Sequence, residues 1–216
     1  MTSTTKSRGF VTAAALVMAF GVSAQAHAWT ATSTSSFKSI TSDGQCGQGT
    51  ITGSGGTFNF NKPASANRCE AKGAKGIDPT KGHTYTINWK FKLSSTVNNN
   101  AIFQWKSYGS PMTQNFPLVL KVISNQLVFQ YTPSGGSSVQ PSKTSITKGT
   151  TYTVRLQIRV SDSASTGWVS YWLNGSQKLN QYKARTFDGS SVEPKWGIYG
   201  ASGTSVTDTV SSLTMN

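Results

Sequence analysis

Apolar and polar residues alternate along much of this chain. Residues 83–93 (HTYTINWKFKL) set Tyr85, Ile87, Trp89, Phe91 and Leu93 against Thr84, Thr86, Asn88, Lys90 and Lys92. Residues 151–160 (TYTVRLQIRV) do the same with Tyr152, Val154, Leu156, Ile158 and Val160 on the apolar side. Period-two alternation over ten residues predicts strands with one face in a core and the other in water. AIFQWKSY (101–108), FPLVLKVI (116–123), QLVFQYT (126–132), GWVSYWL (167–173) and PKWGIYGA (194–201) are further candidates. SNQ (124–126) and LNGS (173–176) supply turns, and Asn174-Gly175 is a strong hairpin signal because both turn positions need positive φ.

No segment holds a helical period. Residues 29–50, rich in Ser, Thr and Gly, predict irregular structure or a short edge strand, and the Gly/Ser clusters at 52–56 and 134–138 predict loops. No internal repeat is found. The pattern predicts an all-β fold: a single-domain antiparallel β-sandwich of jelly-roll, concanavalin-like type.

The first residues change the picture of the compartment. Lys6 and Arg8 precede an apolar run from Phe10 to Val22, and AHA follows at 26–28. A basic start, a short apolar stretch and an A-x-A-like site predict a secretory signal peptide over 1–28, cut before Trp29, leaving a β-jelly-roll domain over 29–216. No other stretch is long and apolar enough to span a bilayer. The expected protein is secreted, extracellular and monomeric, with no membrane partner. Cys46 and Cys69 are its two cysteines, and in an oxidising compartment they predict one disulfide. Asn174-Gly175-Ser176 is also a glycosylation sequon.

Charge narrows the partner. Without Lys6 and Arg8 the chain keeps 18 basic and seven acidic residues, a net +11. A basic secreted protein attracts polyanions. The cations sit singly along strands rather than in one dense run, so an acidic polysaccharide is expected and nucleic acid is not.

The acids limit the chemistry. Asp43, Glu70, Asp78, Asp162, Asp188, Glu193 and Asp208 include no i, i+2 pair on one strand, which disfavours a hydrolase that works with paired carboxylates. Beyond the leader His83 is the one histidine, at the start of a strand with no partner motif, so triad and zinc chemistry are disfavoured too. β-Elimination from a polyuronate asks for different groups. Cations or amides must neutralise the carboxylate beside C5, a base must take the C5 proton, and an acid such as Tyr must protonate O4. Three segments offer them: Arg68 and Glu70 on one face of NRCEAK, Ile102, Gln104 and Lys106 on one face of AIFQWK, and Lys195, Gly197 and Tyr199 on one face of PKWGIYGA.

Arg68-Cys69-Glu70-Ala71-Lys72, Gln104-Trp105-Lys106 and Lys195-Trp196-Gly197-Ile198-Tyr199, in that order, resemble the three signature strands of jelly-roll polysaccharide lyases acting on alginate, glucuronan and heparin-like chains. FPLVLKV and YWLNG resemble the glucuronan-lyase and heparin-lyase branch. The resemblance spans roughly residues 66–200. It implies that Gln104 and Arg68 neutralise the substrate carboxylate and that Tyr199 is the acid and, in a syn elimination, the base as well. Lys195 and Lys121 would hold other carboxylates, with Glu70 and Lys72 beside them. Lys106 stands where many relatives have histidine, which leaves the base open between Lys106 and Tyr199. Trp172 and Tyr171, beside the Asn-Gly turn, are the aromatics placed to stack on sugar. No cofactor is required, and calcium is left open. The rival reading is a non-catalytic carbohydrate-binding protein on the same scaffold. A third, a hydrolase of neutral glucan, would need two facing carboxylates in the cleft.

Overall fold

The computed structural model describes residues 1, 28–40, 46 and 51–216. The expected leader falls almost wholly outside the described residues, as does Asp43. The alternating segments form strands: β1 (Trp29–Thr30), β2 (Phe37–Ile40), β3 (Ile51–Ser54), β4 (Thr57–Lys62), β5 (Arg68–Ala74), β6 (Thr84–Leu93), β7 (Asn100–Tyr108), β8 (Leu118–Ile123), β9 (Gln126–Tyr131), β10 (Val139–Ser145), β11 (Thr151–Arg159), β12 (Trp168–Leu173), β13 (Ser176–Lys183), β14 (Ser191–Gly200) and β15 (Val206–Met215). One 3-10 turn, Thr34–Ser36, is the helical element of the described residues. No described helix is long and apolar enough to cross a membrane.

The strands form two antiparallel sheets, the jelly-roll sandwich that the alternation predicts. The back sheet runs β13-β12-β11-β6-β15-β4-β3, with β1 added to β15. The second, here the cleft sheet, runs β10-β9-β8-β7-β14-β5-β2. The inward halves of both fill the space between them: Trp89, Trp105, Trp196, Phe58, Phe60, Phe91 and Phe103 are all buried, and Trp89 stacks on Phe103 at 5.0 Å. Burying an aromatic side chain stabilises by roughly 1.5–3 kcal/mol, so this layer dominates the cohesion of the sandwich.

The predicted turns form. Ser124 and Asn125 have φ of 49° and 59°, Asn174 and Gly175 of 51° and 77°, the paired positive values of a type I′ hairpin. The region 29–50 contributes β2 to the edge of the cleft sheet. The cluster at 52–56 departs from the expected loop: Ile51–Ser54 is a strand, and the turn is confined to Gly55-Gly56. Cys46 and Cys69 are joined across 23 positions, tying residue 46 to the inner side of β5. By loop closure such a bond stabilises by about 3 kcal/mol.

The alternation fails at one informative place. On a regular strand Ile102 would share a face with Gln104, but the pairing of β7 shifts between Ala101 and Phe103 against β8, and the register against β14 shifts opposite the same residues. The bulge places Ile102 in the core beside Phe103 and gives Ala101 to the outward face.

A second anomaly lies in the back sheet. Asp208 points inward between Val206 and Val210 and is fully buried. Its carboxyl oxygens lack a hydrogen-bond partner of good geometry, and burial, opposed by the Lys92 backbone amide, holds it well above the usual carboxylate range. The unfolded chain therefore releases this proton at lower pH than the folded one. The stability Asp208 allows is fully present below about pH 3.9 and falls by ~1.4 kcal/mol for each further pH step of one, until the pH passes its raised folded value. Denaturant titrations at acid, neutral and mildly alkaline pH should show Asp208→Asn gaining on the parent as pH rises. An unchanged difference across that range would refute the assignment.

Candidate active site

The three motif strands, far apart in sequence, are neighbours at the centre of the cleft sheet in the order β7-β14-β5. Lys195 lies opposite Gln104 on one side and Lys72 on the other, Gly197 opposite Glu70, and Tyr199 opposite Arg68 and Ala101. Gly197, at φ +119°, cannot be replaced cheaply: a Cβ there would lie 2.3 Å from the Cys69 carbonyl oxygen and 2.7 Å from the Phe60 ring.

At the floor, Lys195 Nζ meets Glu70 Oε2 at 2.6 Å, and the Gln104 amide Nε2 donates to Glu70 Oε1. All three are buried, with Lys195 only 3% exposed. Lys195 and Glu70 thus face each other rather than solvent. Their direct effect is to fix the Gln104 amide, whose remaining N–H and unpartnered Oε1 are left for other bonds.

Above them opens a cleft of about 390 Å³. Gln104, Tyr199 and Lys121 line it together, with Ala101, Phe116 and Gln130. The Arg68 guanidinium lies 4.8 Å from the centre of the Tyr199 ring, and Phe116 stacks on that ring at 6.3 Å. No Asp, Glu or His is among the described residues that line the cleft. His83 is exposed at the entry to β6 in the back sheet. Glu193 is held by Lys38 at 2.7 Å. The two facing carboxylates of a glycoside hydrolase are not found there.

Lys106 sits beside the cleft, half-buried. Its ammonium lies 4.7 Å from the centre of the Tyr108 ring and 4.6 Å from that of Phe116, and it donates to Asn115 Oδ1. Lys72 approaches the Tyr108 ring at 4.8 Å. Aromatic faces and an amide oxygen are favourable partners for an ammonium. Lys106 is thus placed to supply charge.

Phe116 and Asn115 ride on the loop 109–117, which is anchored from below. Asp188 Oδ2 accepts from the backbone amides of Thr113 and Gln114 at 2.5 and 2.6 Å, and Oδ1 accepts from Arg185 at 2.6 Å. Burial pushes the Asp188 carboxyl up, but the two amides and Arg185 outweigh it and hold it below the usual range. Gln114 in turn donates to the carbonyls of Thr132 and Arg185. The loop is clamped, so Phe116 has a fixed place against Tyr199.

Other expected positions lie elsewhere. Trp172 is on β12 in the back sheet, under the Arg155 guanidinium at 4.8 Å, and takes no part in the cleft. Tyr171 is buried against Phe129 at 5.4 Å, a core residue with no face for a sugar. Phe116 and Gln130 belong to the site without having been singled out in the sequence. Gln130 was within reach, since it is the polar position between Phe129 and Tyr131. Phe116 was not: the sequence reads it as the start of a strand over 116–123, whereas β8 begins at Leu118 and Phe116 lies in the loop before it. No group of three or more His, Cys, Asp or Glu side chains suited to a metal occurs among the described residues.

The sandwich is shared with known structures. The endo-β-1,4-glucuronan lyase of the fungus Trichoderma reesei is similar over 88% of this chain and 94% of its own, with a TM-score of 0.65 and 14% identity. The alginate lyase AlgAT5 from polysaccharide lyase family 7 is similar over 75% of this chain and 78% of its own, at TM-score 0.55 and 16% identity. The family 7 alginate lyase A1-II′ is similar over 74% and 79%, at 0.59 and 16%. No curated protein sequence matches this chain. The polysaccharide lyase family profile matches residues 21–211, a span that takes in all three central strands and the loop over them, and on that match the chain belongs to the polysaccharide lyase family.

Proposed function

We propose that this lyase is secreted and cleaves a polyuronate, glucuronan or alginate, by β-elimination in the cleft between Tyr199 and Lys121. The observation that carries the reading is the joint placement of Tyr199, Gln104 and Lys121 around one cleft lined by no carboxylate or histidine among the described residues. Two of the similar structures are an endo-β-1,4-glucuronan lyase and a family 7 alginate lyase, which favours those two polymers over others.

In the proposed step the uronate carboxylate lies against the Gln104 amide and the Arg68 guanidinium. Neutralising it makes the C5 proton removable. The step starts from the Tyr199 phenolate, whose oxygen takes that proton as the C5 electron pair forms the C4=C5 bond and the C4–O4 bond breaks. Tyr199 returns the proton to O4 of the departing chain. One residue serves as base and acid when C5–H and O4 lie on the same side of the ring, as a syn elimination requires. Arg68, its guanidinium 4.8 Å from the centre of the phenol ring, adds positive charge beside Tyr199. Lys106, between the Tyr108 and Phe116 rings, adds positive charge at the cleft edge, and in this reading Tyr199 rather than Lys106 takes the proton. Lys121 and Lys72 hold neighbouring carboxylates, and Lys195 with Glu70 sets the orientation of Gln104. Secretion is supported by the leader-like residues 1–28 and by the Cys46–Cys69 disulfide, a bond typical of oxidising compartments.

The test is direct. Residues 29–216 are incubated with glucuronan, alginate, heparin-like chains and pectate, and the near-ultraviolet absorbance of the C4=C5 unsaturated uronate is followed. A rise on glucuronan or alginate is expected. No rise on any of the four, with binding retained, would favour the non-catalytic carbohydrate-binding alternative.

A further inference from the structure

We infer that the outward face of the back sheet is a second polyuronate-binding surface, separate from the cleft and without catalytic groups. This rests on the polyuronate reading above for the identity of the chain, but on different residues.

The argument starts from strand parity. Ile87, Trp89, Phe91 and Leu93 of β6 face the core, which sends Lys90 and Lys92 outward; Val154, Leu156 and Ile158 of β11 do the same for Arg155 and Arg159. Thr151 is opposite Lys92, Thr153 opposite Lys90, Arg155 opposite Asn88 and Arg159 opposite Thr84. Lys92, Lys90, Arg155 and Arg159 therefore follow one another along the strand axis over about eight residue steps, roughly 27 Å, on two strands ~4.8 Å apart. That is a straight row long enough to lie along several sugars of an extended chain.

Among the described residues, no acidic side chain pairs with a cation of the row. Asp208 is the only acidic residue in the described strands of the back sheet, and it points into the core. Each arginine instead has a tryptophan as its direct cross-strand neighbour on β12: Arg155 with Trp172 and Arg159 with Trp168. Both indoles are half-buried, and the Arg155 guanidinium lies 4.8 Å from the Trp172 ring. Indole faces suit the apolar face of a sugar ring, and guanidinium forks suit its carboxylate. The row ends at a hollow of about 390 Å³ lined by Lys81, Arg159 and Thr166. Its one carboxylate, Asp162, is taken up by Lys81 at 2.7 Å. A row of unpaired cations with indoles at its side matches an acidic polysaccharide in charge and in surface chemistry. A double-stranded nucleic acid, its bases stacked on one another, would satisfy the charge alone.

The consequence is that the enzyme stays on the polymer while its cleft turns over. The test is affinity electrophoresis through gels containing glucuronan, alginate or double-stranded DNA, in a Tyr199→Phe background so that the polymer is not consumed. Arg155→Ala/Arg159→Ala should weaken retention on the polyuronate at least about fivefold, some 1 kcal/mol. Trp172→Ala, which changes no charge, should also weaken it. Lys75→Ala/Lys148→Ala, an equal loss of charge at exposed positions outside the strands, should change retention less than about twofold. With Tyr199 restored, the arginine pair should leave turnover of short oligouronates unchanged. Retention falling equally in both double variants, or falling only on DNA, would overturn the inference. A parent protein that cleaves no polyuronate but is retained through Arg155 and Arg159 would sink the proposed reaction and still support this surface.

Discussion

Tyr199→Phe is expected to lower the rate of unsaturated-uronate formation by roughly 10²–10⁴-fold, the usual contribution of a positioned acid or base. The ring itself should stay where it is. Its contacts with Phe116 at 6.3 Å and Arg68 at 4.8 Å are made by the aromatic face, and phenylalanine keeps that face. Thermal stability and polymer binding should therefore change little, and the loss should fall on kcat rather than KM. Lys106→Gln gives the contrast. If Lys106 supplies charge, its loss should weaken substrate binding and leave an appreciable kcat. A Tyr199→Phe enzyme with near-parental kcat, or a Lys106→Gln enzyme with none, would reverse the two roles.

The second large effect is on stability. Glu70 and Lys195 are 4% and 4% exposed at the side chain and 2.6 Å apart, with Gln104 as a third member. Glu70→Ala leaves an ammonium buried without its counter-charge, a loss of roughly 3–5 kcal/mol. For a domain of this size that is a fall in Tm on the order of 10 °C. Replacing both partners, Glu70→Leu with Lys195→Met, should recover much of the stability because the desolvation penalty goes with the charges. It should not recover activity, since the Gln104 amide loses the carboxylate that orients it. Thermal unfolding alongside the absorbance assay separates the two effects. A double variant as unstable as Glu70→Ala would show that the pair stabilises for its own sake.

How much of this was legible beforehand follows from the range of each interaction. Strands β6, β8, β9, β11 and β12 were visible because alternation is a local consequence of the pleat. The hairpins at Ser124-Asn125 and Asn174-Gly175 were visible because few residues tolerate positive φ. β15 was passed over: the inward row of VTDTVSSLTM is interrupted by the buried carboxylate of Asp208 and then changes parity between Val210 and Leu213, where the pairing with β6 shifts between Ser211 and Thr214. The bulge at Ala101–Phe103 was hidden for another reason. It is set by how β7 pairs with β8 and β14, and a single strand carries no record of its partners' register.

The site divides in the same way. The residue types suited to elimination, and the strand faces of Arg68, Glu70, Lys195 and Tyr199, followed from sequence, because parity along one strand is enough to group them. The presence of Gln104 and Tyr199 in one cleft, with Arg68 against the tyrosine ring, did not, since it requires β5, β7 and β14 to be adjacent although they lie far apart along the chain. Nor did the turning of Lys195 and Glu70 toward each other, or the clamping of Phe116 through Asp188. Trp172 shows the limit most plainly: parity along β12 puts it on an outward face, but only the topology says which of two sheets that face belongs to. By itself, then, the sequence determined an all-β sandwich, its hairpins, its basic charge and the kinds of group available for chemistry, since all of these depend on neighbours along the chain. The tertiary structure alone decided which of those groups meet, because strand order, register and burial are properties of pairings between distant segments.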